Sequence, residues 1–325
     1  MLKSSIFRNL ILVVVGIFVL IIDVAAQVYP NKTITVIVPY APGGNLDVIA
    51  RLVAQGMSKN LGQSLVIDNK PGAGGILGHQ IGARANPDGY TITTTANGSF
   101  AISPRLQAKM PFKSSDFIPV GTISVTPLVL EVNPNGRFKT INELLAYAKA
   151  NPQKISIGHS GNGTTNHVAI LMLQELAKVK FNIIPYKGSA PAITDLLANQ
   201  IDAVIDQLPS SMSNLSAGKL RALAVTTADR VEDLATIPTF AESGFKGFEV
   251  TTTTGFLVPA NTPESVVSTL NKSLNLALQQ PEIQKKMREL NSEALQSTPA
   301  QFKQYLSKEE VKAEALVKRG LLKEE

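Results

Sequence analysis

The sequence predicts an α/β protein built as two Rossmann-like halves with mixed sheets and a ligand cleft between them. Three observations carry this expectation. β-Branched apolar runs alternate with helical patterns along nearly the whole chain, and glycine-rich loops stand between strands and the helices that follow them. Strand-like runs also occur at both Leu128 and Val250, as expected if two extended segments cross from one half to the other.

The elements follow in order. Ile34–Val38 is almost wholly apolar and β-branched, the composition of a strand buried on both faces. Pro39-Tyr40-Ala41-Pro42-Gly43-Gly44 comes next, and then Ile49, Val53 and Met57 recur at four-residue spacing along one helix face. The unit repeats with a strand at 65–67, glycines at 71–75 and a helix through Ile81; Asp88-Gly89 turns the chain into a strand at 90–94. A strand at 128–132 leads into a helix over 141–150, opened by a capping box of Thr140 and Glu143. The second half then offers a strand at 155–158, a loop at 159–163, a helix over 164–178, and strands at 181–186, 202–206 and 220–226. After a β-type run at 250–258, three helices close the chain; Thr262-Pro263 and Thr298-Pro299 each predict an N-cap followed by proline at the first helical position.

Residues 1–26 are read as a cleavable secretory leader. Lys3 and Arg8 precede an apolar stretch from Leu10 to Ile22, shorter than the roughly 20 residues that span a bilayer; small residues Val24, Ala25 and Ala26 follow, with cleavage expected after Ala26 and the periplasm as destination. The remaining residues suffice for two domains of roughly 100–200 residues each. They are assigned as a discontinuous first lobe, 27–127 plus 249–325, and a second lobe, 128–248. The chain contains no cysteine, which excludes a lipidated N-terminal cysteine, disulfides and thiolate metal sites. A net charge of +6 is modest, and its basic residues lie among acidic ones without interleaved aromatics, so no nucleic-acid partner is expected.

In open α/β sheets ligands sit beyond the carboxyl ends of strands. That rule selects the loop 40–47, the loop 159–165 and Asp206 at the end of a later strand. Gly43-Gly44 directly precedes a helix, so its backbone N–H groups can approach an anion; a tight turn without a ligand fits the same residues. Ser160-Gly161-Asn162-Gly163-Thr164-Thr165 has the same form in the other half, and together the loops fit a carboxylate held between domains. Asp206 can accept from a ligand or cap the turn at Pro209, while Lys187 and Arg51 read as surface cations. Enzyme motifs fail at single positions: Gly158-His159-Ser160-Gly161-Asn162 lacks the last glycine of a nucleophile elbow, and Leu77 replaces the last glycine of a dinucleotide fingerprint. His79, His159 and His167 do not stand at metal-ligand spacing. No catalytic residue, cofactor or metal is expected. A secreted serine hydrolase using Ser160 and a binding protein feeding a signalling receptor are the alternatives of different class.

An ordered set of motifs resembles the solute receptors of tripartite tricarboxylate transporters, the Bug family. It includes Tyr29-Pro30, Pro42-Gly43-Gly44 with Asp47 and Ala50-Arg51, and Asp68-Asn69-Lys70-Pro71-Gly72-Ala73-Gly74-Gly75. It continues through Pro87-Asp88-Gly89-Tyr90-Thr91, Asp116-Phe117-Ile118-Pro119-Val120, Gly161-Asn162-Gly163-Thr164 with His167, and Pro185-Tyr186-Lys187-Gly188. The run 218–225, Pro238-Thr239 with Glu242 and Gly244, and Pro259 with Thr262-Pro263 complete it. The resemblance implies a type II periplasmic binding fold whose lobes close on a carboxylate held mainly by backbone amides, and a membrane permease as partner of a monomeric receptor. It carries over Gly43, Gly44 and Asp47 on the first lobe, and Ser160, Gly163, Thr164, Tyr186, Gly188 and Asp206 on the second. The two loops add Tyr40, Pro42, Asn45, Asn162 and Thr165 as candidate ligand-binding residues. Asn45-Leu46 stand where the family usually has small residues or proline, and Thr251 to Thr254 where a tryptophan is common.

Overall fold

The computed structural model describes residues 29–106, 109–318 and 320; the expected leader lies outside them. Within the unit Lys32–Glu325, β1 (Ile34–Val38) lies between β2 (Leu65–Asn69) and β3 (Thr91–Ala96), parallel to both. Its apolar run is buried as the sequence predicts. Between β1 and β2 runs α1 (Asn45–Leu61), which buries Ile49, Val53 and Met57 and stops at Gly62 in the left-handed conformation. A shorter α2 (Ile76–Ala83) precedes β3.

The strand expected at 128–132 is the far end of a much longer one, β4 (Phe117–Val132). Pro119, Gly121 and Pro127 interrupt the pattern a buried strand normally shows, and the ladder absorbs the irregularity in register shifts between Pro119 and Gly121 and between Thr122 and Ser124. As far as Pro127, β4 pairs antiparallel with β9 (Thr251–Pro259), whose other edge meets β3. From Leu128 onward it pairs with β7 (Ala203–Gln207) and β8 (Arg221–Val225). The strand order is β2-β1-β3-β9-β4-β7-β5-β6, with β5 (Ser156–His159) and β6 (Asn182–Pro185) parallel, and with β8 and the two-residue β10 (Glu293–Ala294) added on β4. β4 is thus the shared member of two mixed sheets.

Thr226 sits where the two crossing segments meet. Its hydroxyl donates to the Val250 carbonyl at 2.6 Å and accepts from the Leu128 N–H at 3.0 Å, while its backbone N–H donates to the Leu128 carbonyl and its carbonyl accepts from the Val250 N–H. One buried threonine therefore ties both crossings together.

Each half has its own core. Leu128, Leu130, Leu144, Ile157, Leu173, Ile205, Phe240 and Phe248 interlock in the second half, under α3 (Ile141–Ala150) and α4 (Thr165–Ala177). In the first half Phe100, Phe117, Leu257 and Phe302 meet, Phe302 being supplied by the closing helix α9 (Pro299–Lys318). Removing a fully buried side chain of this size costs about 3–5 kcal/mol.

Local signals at helix starts divide. Thr164 and Thr140 cap α4 and α3, but the Glu143 carboxylate accepts from the Lys139 N–H rather than from the cap residue, so the box is displaced by one position. Thr298 accepts from the Gln301 N–H and Gln301 returns the bond to the Thr298 N–H, a complete box at α9. Thr262 instead donates to the Pro259 carbonyl, leaving Pro263 as the cap of α7 (Glu264–Leu278); α8 (Pro281–Glu289) follows. The sequence reading did not foresee α5 (Ser189–Leu197) or α6 (Leu208–Ser216).

Candidate functional site

The carboxyl ends of β1, β3, β5, β6 and β7 converge on one cavity lined by Tyr40, Gly44, Asn45, Leu46, Ala96, Ser99, Ser160, Thr164, Thr165, Ser189 and Gln207. Four helices begin at its wall. Gly44 is the N-cap of α1, Thr164 of α4 and Gln207 of α6, and Ser189 is the first residue of α5 after the cap Gly188. The first-turn N–H groups of a helix have no partner within the helix, and each helix adds roughly half a positive charge at that end. Among the described residues, no charged side chain lines the cavity. The electrostatic character of the site is therefore set by main-chain dipoles from both halves, and it favours an anion.

The hydroxyls around the wall spend their protons on the protein. Tyr40 donates to the Gly74 carbonyl at 2.9 Å, Ser99 to Ala96, Ser160 to Asn166 Oδ1 at 3.0 Å, Thr164 to Gly161 and Thr165 to Asn97. Burial raises the Tyr40 phenol to about 12, so it stays protonated. Behind this layer Ser189, Ser210 and Ser211 donate to the fully buried Asp206, as does Asn166 Nδ2. Burial raises Asp206 above the ordinary carboxylate value even though these bonds pull it down. Glu131, two residues along the neighbouring strand, is pushed well above its usual value by burial and then by the Asp206 charge. Asp206 thus fixes the Ser189 and Asn166 side chains rather than facing the cavity.

The other sequence candidates divide similarly. Tyr40, Gly44, Asn45, Ser160, Thr164 and Thr165 line the cavity, whereas Pro42, Gly43, Asp47, Asn162, Gly163, Tyr186, Gly188 and Asp206 do not. Asp47 accepts from the Gly43 N–H, from Arg51 and from Asn69, each at 2.9 Å. Burial opposes its ionisation, but these bonds outweigh burial and hold it below the ordinary carboxylate value. Gly163 donates to His167 Nδ1, and the Tyr186 hydroxyl donates to Asp195. Leu46, Ala96, Ser99, Ser189 and Gln207 complete the wall, and none of them is among the ligand-binding candidates of the sequence. The signal for Ser189 and Gln207 was the helix pattern of α5 and α6: Ala192, Ile193 and Leu196 recur on one face, and Pro209 stands at a helix start.

The cavity between the two sheets measures about 20 Å³, little more than one water molecule occupies. The Ala41 N–H donates to the Lys187 carbonyl across the seam at 3.0 Å. Three glycines permit close approaches: a Cβ on Gly74 would lie 2.1 Å from the Asn162 carbonyl oxygen, one on Gly163 2.3 Å from the Ser103 hydroxyl oxygen and one on Gly98 2.4 Å from the Thr165 nitrogen. A wider groove of about 920 Å³ passes Pro127 and Thr251, but its lining includes Glu232, Asp233, Glu289 and Glu293 against Arg288, a poor match for an anion.

Two mixed α/β halves joined by crossing strands, closed over a cavity ringed by helix N-termini, define a solute-binding protein of the type II periplasmic architecture. Solved structures agree. The periplasmic binding protein BugD is 37% identical with a TM-score of 0.87, covering 91% of this chain and 100% of its own. An R. palustris protein solved with adipate is 33% identical with a TM-score of 0.86, over 89% of this chain and 97% of its own. MatC from Rhodopseudomonas palustris, solved with bound malate, is 31% identical with a TM-score of 0.85, over 89% of this chain and 100% of its own. The model of the tripartite tricarboxylate transporter family receptor matches residues 49–321, and the chain belongs to that family.

Proposed function

We infer that this protein is a periplasmic receptor that captures a small organic carboxylate by closure of two lobes, 27–127 plus 249–325 and 128–248, and delivers it to a membrane permease of the tripartite tricarboxylate type. The observation that carries this reading is the convergence of four helix N-termini, from both halves, on a cavity without a charged side chain. Relatives solved with adipate and malate support a dicarboxylate of four to six carbons as cargo. Binding without turnover is supported by Ser160, whose hydroxyl donates to the Asn166 amide oxygen rather than to an imidazole among the described residues.

Export through the leader 1–26 fits a role outside the cytoplasm. The closed cavity also fits a cycle in which the halves part to admit ligand and close with its carboxylate against the helix starts.

A thermal-shift screen of the purified mature protein tests the reading. Dicarboxylates, tricarboxylates, acidic amino acids and aromatic acids are each added to protein shown to be folded and ligand-free. A binder at a hundredfold excess over its Kd adds roughly 2.7 kcal/mol of stability and should raise Tm by several degrees. No shift from any carboxylate would sink the proposal.

A further inference from the structure

Asn45 is the first residue of α1 and lines the cavity, yet both polar atoms of its amide, Oδ1 and Nδ2, are buried without a hydrogen-bonding partner. The residue is only 2% exposed. Buried amides are almost always paired, so a donor and an acceptor left open side by side at a ligand cavity form a reading head whichever way the amide is turned.

The chemistry of the group decides what it reads. A carboxylate oxygen accepts only; it can take the Nδ2 proton but leaves Oδ1 buried, unpaired and facing an anion. An α-hydroxy carboxylate offers an acceptor oxygen and, one carbon away, an O–H donor, and so satisfies both atoms at once. The rest of the wall points the same way. The hydroxyls of Tyr40, Ser99, Ser160, Thr164 and Thr165 donate to protein acceptors, so they meet a ligand hydroxyl as acceptors only, with Ser99 and Thr164 already accepting from the Ala96 and His167 N–H groups. An α-ammonium group would also donate, but it would sit among four helix N-termini with no acidic side chain in the lining.

We propose that Asn45 is a specificity-determining residue that selects 2-hydroxy carboxylates over their deoxy and 2-amino counterparts. The inference rests on the carboxylate-receptor reading and assigns a chemical class to its cargo.

The test uses calorimetric titration of the purified mature protein with matched sets sharing one skeleton: succinate, malate and aspartate; glutarate, 2-hydroxyglutarate and glutamate; propionate, lactate and alanine. In the set that fits best, the hydroxy member should bind on the order of tenfold more tightly than the deoxy member, and the amino member should be the weakest. In Asn45→Ala and Asn45→Ser, each checked for an unchanged melting profile without ligand, the loss should fall on the hydroxy member. In Asn45→Ala, affinity for the deoxy member should hold or improve, because no buried acceptor is left facing it. Equal affinity for hydroxy and deoxy members in the unaltered protein, or a hydroxy preference that survives in Asn45→Ala, would overturn the role of Asn45 while leaving the receptor reading intact. Binding of none of the carboxylates would overturn both.

Discussion

Asp47 shows how a residue beside a ligand site can serve it without touching the ligand. Its carboxylate gathers the Gly43 N–H, the Arg51 guanidinium and the Asn69 amide, and Asn69 in turn donates to the Tyr40 carbonyl. The loop that presents Gly44 and Asn45 is therefore braced from below by one charge. Asp47→Ala should lower stability by about 2 kcal/mol, seen as a reduced urea midpoint with an unchanged slope, and should weaken ligand binding through the loosened loop. The sequence placed Asp47 in the right neighbourhood and also held the sign of its bracing role, since Asp47 and Arg51 stand four apart at the start of a helix. What it did not disclose is Asn69, which arrives from the next strand through parallel pairing of β1 with β2. Contacts of that kind come from register, and register is not written locally. Asn45 was legible as a departure from the family pattern. Its unpaired amide required the closed cavity to be seen.

Among the elements, those with a regular apolar period were read correctly: β1, α1, α3, α4 and the closing helices. The long β4 was cut to its last stretch, 128–132, because Pro119, Gly121 and Pro127 mimic a loop, and only pairing with β9 turns that segment into a strand. Helices α5 and α6 escaped because each has nine residues and follows closely on a strand, α6 directly on β7 and α5 three residues after β6, so that neither short face is set off by a clear boundary. Their omission hid half of the helix starts around the cavity. Thr226 belongs to this scale as well, because it joins the two crossings at Leu128 and Val250. Thr226→Val keeps the shape but strips the hydroxyl, leaving the Leu128 N–H and the Val250 carbonyl each short of a side-chain partner. We expect a loss of about 1–3 kcal/mol in equilibrium unfolding, and faster amide exchange at Leu128 than at core positions of either sheet.

At the scale of the whole molecule, burial of all three histidines sets the response to acid. Burial lowers His79 to about 4 and His167 to about 4, and it lowers His159, stacked on His167, to about 3 with help from that neighbour's charge. In the unfolded chain each titrates near 6.5. Below that pH the unfolded state takes up protons that the folded state refuses, so stability should fall as pH drops from about 6.5 toward 4, by at most roughly 1.4 kcal/mol per histidine per pH unit. Tm measured across that window should show the decline, and His159→Phe should flatten part of it. Closure offers a second check. Gly74 approaches the Asn162 carbonyl so nearly that Gly74→Ala should prop the halves apart, costing at least tenfold in ligand affinity and enlarging the radius of gyration seen by X-ray scattering in the presence of ligand. The seam itself is fastened in part by peptide groups, as in the bond from the Ala41 N–H to the Lys187 carbonyl, beside side-chain bonds such as that from Thr165 to Asn97. The peptide-to-peptide part of that clasp survives the exchange of cavity side chains that leave the close-approach glycines in place. Evolution can therefore exchange wall residues to change the cargo while the machinery of capture is inherited intact, and a biosensor engineered from this chain could be retuned in the same way, its fluorescent reporter left in place.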